Sequence, residues 1–211
     1  ILTSFPEKDL REFSTVLPCV ISPHPLFDTY SEPVSRAEAI VRLKLCPADR
    51  FILFFGFIRA YKGLDLLIRA MAHPAVRSMG IKLLVAGEFY EDDKPYFDLI
   101  HTLDISDRII LHSHIINNDE VRYYFSAASL VVQPYRSATQ SGVTQVAYQF
   151  NKPMVVTNVG GLAEIVPDGK CGYVVATEPE AIAEAIADFF SGDEKRFQKG
   201  IEEQKKLYSW D

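Results

Sequence analysis

The stretch Phe51-Ile-Leu-Phe-Phe-Gly56-Phe-Ile-Arg59-Ala-Tyr-Lys62-Gly63-Leu-Asp-Leu-Leu67 decides the fold. Its first seven residues are apolar or glycine with no polar alternation, the pattern of a strand covered on both faces. A helix is expected over 62–79, with Leu66, Leu67, Ala70 and Met71 along one side. A buried strand that feeds a helix through a short glycine-bounded loop is half of a β-α-β unit. The same grammar recurs downstream. Strands are expected at 81–86, 108–112, 130–133, 153–157 and 172–175. Helices are expected at 95–103, from 118, and at 141–150, 179–191 and 194–207. Such alternation implies a parallel sheet with helices on both faces. Right-handed crossovers make it a doubly wound, Rossmann-like α/β fold.

Upstream, Ser4-Phe-Pro-Glu7 and Ser35-Arg-Ala-Glu38 are capping boxes, and they predict helices to about residues 13 and 45. Residues 15–22 read as a strand. From Ser22 to Pro33 three prolines fall within twelve residues, so this segment is neither helix nor central strand. The expected organisation is therefore a preceding domain's tail (1–21), a linker (22–34) and the Rossmann-like domain (35–211). The absence of an initiator Met suggests that the chain begins inside a longer protein.

With 48% hydrophobic and 24% charged residues among 211, disorder, collagen-like repeats and a coiled coil are excluded. The net charge of −6 argues against a nucleic-acid partner, because phosphate-backbone binders concentrate Lys and Arg. Cys19, Cys46 and Cys171 are odd in number and widely spaced, which fits neither a disulfide framework nor a metal site. They read as reduced thiols in the cytoplasm. There is no run of about 18 apolar residues that could span a membrane, and the first residues do not form a signal peptide.

Ligands of such sheets bind outside the carboxyl ends of the strands. Four loops there carry chemistry. Gly56 to Gly63 places Arg59 and Lys62 around a strand-to-helix turn, where one can fork two phosphate oxygens and the other adds a point charge. Gly87 and Glu88 end the second strand. Gln140-Ser141-Gly142 opens a helix, and Thr144 follows within its first turn, where free amides and the dipole favour an anion. Gly160-Gly161-Leu-Ala-Glu164 follows the fifth strand. Each admits a plainer account as well: solvated cations, turn glycines, a Ser N-cap, and a Glu at a helix start. His112-x-His114 alternates like a strand end, and Glu91-Asp-Asp93 reads as a solvated turn. The Phe and Tyr residues lie mainly on apolar runs and are assigned to the core.

Taken in order, several segments carry a resemblance. They are Phe55-Gly-Phe-Ile-Arg-Ala-Tyr-Lys-Gly-Leu-Asp-Leu-Leu67, Val85-Ala-Gly-Glu88, Gln133-Pro-Tyr135, Gln140-Ser-Gly142, Lys152 to Glu164, and Asp168 to Val174. Together they resemble the C-terminal domain of a retaining GT-B glycosyltransferase of group 1, family 4, in a Gln-Ser-Gly branch. The resemblance implies an enzyme that moves a hexosyl unit from a UDP- or GDP-linked sugar to an acceptor, in the cytoplasm, as in polysaccharide biosynthesis.

By the same resemblance Arg59 and Lys62 would be catalytic, stabilising the departing diphosphate. Gly56, Gly87, Glu88, Ile115, Gln140, Ser141, Gly142, Thr144, Gly160 and Glu164 would bind the donor. No cofactor and no strictly required metal are implied. The partners would be the donor and the protein's own N-terminal domain, which would also be the sole route to a membrane. The chain would stop short of the family's final helix, and this half alone would bind donor without transferring it. Two departures stand out. The family's arginine falls at Phe57, so Arg59 would substitute from the same face of an extended strand. The family's two glutamates fall at Ala138 and Val146, with Gln140, Ser141, Thr144 or Gln145 left to supply polar contacts. A non-catalytic nucleotide-sugar-binding module and a nucleotide-sugar epimerase on a similar scaffold remain alternatives.

Overall fold

In a computed structural model, residues 25–27 and 29–209 are described. The helix expected after Ser4 and the strand expected over 15–22 lie outside them. Helix α1 spans Arg36–Arg42 and starts as the capping box requires, with Ser35 Oγ accepting from Glu38 N at 3.2 Å. It ends sooner than expected, because Lys44 turns the chain with a φ of 54°.

Strand β1, Arg50–Phe55, is the apolar run of the sequence, and Phe51, Ile52, Leu53 and Phe54 are buried. A 3-10 turn, Ala60–Lys62, leads into α2, Leu64–Ala72. The single helix expected over 62–79 is in fact broken. Pro74 forces His73 into an extended conformation (ψ 136°), so α2 stops there and a separate short helix α3, Pro74–Arg77, begins. Strand β2 is Ile81–Ala86, α4 Lys94–Thr102 and β3 Ile109–His112. Then follow α5 Val121–Ala127, β4 Leu130–Gln133, α6 Gly142–Gln149 and β5 Met154–Thr157. The chain closes with α7 Leu162–Ile165, β6 Gly172–Val175, α8 Pro179–Ser191 and α9 Gln198–Leu207.

The six strands form one parallel sheet in the order β3-β2-β1-β4-β5-β6. The chain builds outward from β1 to β3, then returns to lay β4 on the other side of β1. That reversal is the topological switch point, where ligands of doubly wound sheets bind. Helix α2 packs against α4 and α8, while α1 packs on α5 and α6 on α9. The apolar faces of α2 (Leu66, Leu67, Ala70, Met71) and α8 (Ile182, Ala183, Ile186, Phe189) are buried, as their helical spacing demands. Lys152 Nζ is buried before β5 and donates to Ala128 O at 2.7 Å, so it stitches α6 to α5 and takes no part in the crevice. No helix among the described residues is long and apolar enough to cross a membrane.

Candidate functional site

The pairing of β1 and β2 does not stop at their glycines. Gly56 N donates to Ala86 O at 2.9 Å, and Ile58 N to Glu88 O at 2.8 Å. Tyr90 N then donates back to Ile58 O at 3.1 Å. Along this extension Ile58 points into the core, while Phe57 and Arg59 share the opposite side with Tyr90. The Phe57 ring meets the Tyr90 ring edge-on at 4.7 Å, and the Arg59 guanidinium lies 4.5 Å from the Tyr90 centroid. Arg59 and Phe57 therefore do lie on one face, as the alternation of an extended chain requires.

Past Arg59 the chain tightens into the 3-10 turn, and Gly63 closes it in a left-handed conformation (φ 68°). Only glycine fits there, since a β-carbon would stand 2.0 Å from Pro134 O. The turn delivers Lys62 to the switch point. Its ammonium stands 5.6 Å from the centre of the Tyr135 ring, and a β-carbon on Gly56 would come within 3.2 Å of Nζ. Burial, helped by the nearby Arg59 charge, pushes the Lys62 pKa down to about 8.

Opposite Lys62 is the start of α6. Ser141 caps it: its Oγ accepts from Val143 N at 3.2 Å and shares a hydrogen bond with the buried Tyr135 hydroxyl at 3.2 Å. Thr144 is wholly buried, and its hydroxyl donates to Ser141 O. A cleft of about 280 Å³ lies between these elements, with Gly56, Lys62, Gln140, Ser141 and Gly142 in its wall. Aromatic side chains make up much of the rest: Phe27, Tyr30, Phe55, Phe57, Tyr61 and Tyr135. Phe27, ahead of α1, sits against the helix start, 3.4 Å from where a Gly142 β-carbon would be. A second cleft, of about 600 Å³, adjoins the first and shares Tyr61 and Gln140 with it; Arg136, Thr139 and Gly160 are among its other residues.

Of the residues singled out in the sequence, the structure thus gathers Gly56, Lys62, Gln140, Ser141 and Gly142 around one cleft. Gly160 joins Gln140 in the second. Arg59 is exposed on the rim, stacked on Tyr90 rather than lining either cleft. Gly87 is explained by packing: a β-carbon there would meet Gly56 O at 2.1 Å, so its bare Cα serves the β1–β2 approach. Gly160 serves the same end, because its β-carbon would fall 1.4 Å from Ala138 O. Glu88 follows Gly87 and contributes its carbonyl to the pairing with Ile58. Ile115 projects into solvent from the loop after β3, 62% exposed. Glu164 is exposed on α7, away from both clefts. Thr144 and Gln145 are buried rather than presented to a ligand; of the polar residues proposed to replace the glutamates, Gln140 faces both clefts.

Three corrections follow. Phe57, Tyr61 and Tyr90 are exposed at the strand ends, not buried in the core to which the sequence assigned the aromatics. Glu91 is more than a solvated turn residue, since its Oε2 accepts from Ala60 N at 3.2 Å and steadies the Lys62 loop. Arg136 was not singled out, although it lies between the marked segments Gln133–Tyr135 and Gln140–Gly142. Its pairing with Asp65, 71 positions away, leaves no local sequence signal.

A cation and a capped helix start converge at the switch point of an open doubly wound sheet, an arrangement able to hold an anionic ligand. Residues 49–191 match the family described as glycosyl transferases group 1, and the chain belongs to that family. A D-inositol 3-phosphate glycosyltransferase of Streptomyces griseus is 32% identical over 191 residues, which are 85% of this chain and 40% of the relative. Among solved structures, a sucrose-phosphate synthase of Thermosynechococcus elongatus superposes with a TM-score of 0.81 at 22% identity, over all of this chain and 54% of that one. Anabaena HepE, in complex with UDP and glucose, gives a TM-score of 0.67 at 18% identity, over 90% of this chain and 51% of its own. The fold is that of a GT-B glycosyltransferase C-terminal domain. The chain spans about two fifths of the length of its curated relatives.

Proposed function

We propose that this chain is the donor-binding half of a retaining glycosyltransferase of family 4, and that the cleft at the switch point takes the diphosphate of a UDP- or GDP-linked sugar. The observation that carries this reading is the convergence of the Lys62 ammonium and the capped N-terminus of α6 on one cleft. A desolvated ammonium and oriented backbone amides stabilise charge that builds on a departing diphosphate, and they need no reorganisation as it forms. Arg59, on the rim, adds a second positive charge, and the two cations fill the role that a divalent metal takes elsewhere. Gln140 faces both clefts and is placed to hydrogen-bond a sugar in the larger one. The UDP and glucose held by the Anabaena protein of the same fold support this choice of donor class.

The acceptor would be brought by an N-terminal domain of the longer protein. The chain by itself would bind donor without transferring it, since it cannot hold the second reactant in place. The setting is the cytoplasm. Binding of UDP, GDP, ADP and TDP, measured by calorimetry without metal and then with Mg²⁺, tests the reading. One nucleotide should bind in the absence of metal, and no binding of any would overturn it.

One observation favours a second reading, a module that binds donor without turnover. The two positions where the resembling family carries glutamates, Ala138 and Val146, do face the clefts, and both are apolar. Release of free sugar or transfer from the bound donor by the longer protein would eliminate it.

A further inference from the structure

The loop that carries Lys62 holds itself by two backbone hydrogen bonds, Lys62 N to Arg59 O at 2.9 Å and Gly63 N to Ala60 O at 3.2 Å. Among the described residues Lys62 Nζ has no hydrogen-bond or ion-pair partner, and the turn Ala60–Lys62 reaches it through a single exposed 3-10 turn. Besides Glu91, which accepts from Ala60 N, the turn is held by Arg136, from the loop after β4. Arg136 N donates to Tyr61 O at 2.7 Å, and Nη1 donates to Ala60 O at 3.1 Å. The guanidinium also grips Asp65 at the start of α2 with both arms, Nη1 to Oδ1 at 2.7 Å and Nη2 to Oδ2 at 2.6 Å. Beside it Gly63 lies against the Pro134 carbonyl. One side chain thus spans both ends of the Lys62 turn from the segment that continues into the Ser141 cap.

An ion pair this exposed adds little to stability on its own. A planar fork that also reaches a carbonyl is a device for orientation, and lysine cannot reproduce it. We propose that Arg136 is a positioning residue: through the grip of its guanidinium on Asp65 and the Ala60 carbonyl it sets the Lys62 ammonium at its place in the cleft opposite the α6 N-terminus. This rests on the reading of that cleft as a diphosphate site, and the experiment is arranged to separate the two.

The groups around Lys62 are Arg59 on its own loop, Tyr61, Tyr135 beneath it, Tyr30 from ahead of α1, and the Arg136–Asp65 pair behind the turn. Lys62 is followed by NMR titration of ¹³Cε-lysine, with Lys62→Arg assigning the signal. Wild type is compared with Arg136→Ala, Asp65→Asn and Arg136→Lys. Releasing the turn hydrates the ammonium, so in both Arg136→Ala and Asp65→Asn its titration should move up toward the ordinary lysine range. A bare charge effect would act in opposite directions, up on losing the guanidinium and down on losing the carboxylate. Calorimetry with UDP and GDP should show a loss of about 10-fold in both variants, with uridine and guanosine unaffected. Arg136→Lys, which keeps the charge, should fall between and serves if the alanine variant does not fold. Opposite shifts in the two variants, or a lowered melting temperature with Lys62 titration and nucleotide affinity intact, would overturn the proposal. If wild type binds neither nucleotide, the functional reading fails while the Lys62 titration still decides the role of Arg136.

Discussion

Lys62 and Gly56 share one space: the ammonium stands where a β-carbon on Gly56 would come within 3.2 Å of it. The glycine at the end of β1 therefore does two things. Its φ of 94° is one that a side chain rarely allows, and its bare Cα leaves room for the charge above. Gly56→Ala should cost about 1–3 kcal/mol in denaturant unfolding for the backbone strain. It should also weaken nucleoside diphosphate binding by displacing Lys62, and unchanged affinity would mean that the ammonium is not held there.

The depressed Lys62 pKa fixes the sign of a pH dependence. The ammonium is present below about 8 and is lost as pH rises through that value, so anion affinity should fall on the alkaline side. A bound anion favours the charged form, so in the complex the loss comes at higher pH than in the free protein. Lys62→Arg keeps its charge throughout and should flatten the profile. Calorimetry from pH 6 to 10 reads both, and equal slopes for the two proteins would assign the titration to another group.

Tyr135 offers two separable contributions. Its hydroxyl supports the Ser141 cap, and its ring lies beneath Lys62. Tyr135→Phe should cost about 1 kcal/mol of stability for the lost hydrogen bond and leave nucleotide affinity within about 2-fold of wild type. Tyr135→Leu should lower affinity further, by about 0.5–2 kcal/mol for the lost cation–π contact. Paired unfolding and binding measurements on the two variants distinguish these contributions, and equal affinities for Phe and Leu would remove the ring from the account.

Gly160 is a test of packing rather than of ligand contact. Its β-carbon would overlap the Ala138 carbonyl, and its φ is 51°. Gly160→Ala should destabilise the fold by about 2–4 kcal/mol, read as a shift of the denaturant midpoint. A variant as stable as wild type would show that the loop after β5 yields without cost.

The β-α alternation and the doubly wound fold were legible because they depend on local pattern. The apolar run from Phe51 and the Ser141 cap announce themselves within a few residues. Helix ends set by a single residue were not legible: the turn at Lys44 and the break at His73-Pro74 both lie inside stretches whose periodicity runs on. The rest was hidden for a common reason. Gly87 and Gly160 look like ligand walls in sequence, yet they are spent on carbonyls from Gly56 and Ala138, which no spacing rule connects. The Asp65–Arg136 pair joins loops that only the return of β4 to the side of β1 brings together. Phe57 reads as core because its neighbours are apolar, whereas the strand end where it sits is open.

The most direct test of the central claim is metal-free titration calorimetry of wild type and Lys62→Ala with UDP, GDP, ADP and TDP. The account predicts that one nucleotide binds selectively and that Lys62→Ala costs about 1.5–3 kcal/mol of that affinity, the contribution of one charge-assisted phosphate contact. Equal binding by the two proteins would contradict it, and so would no binding by either.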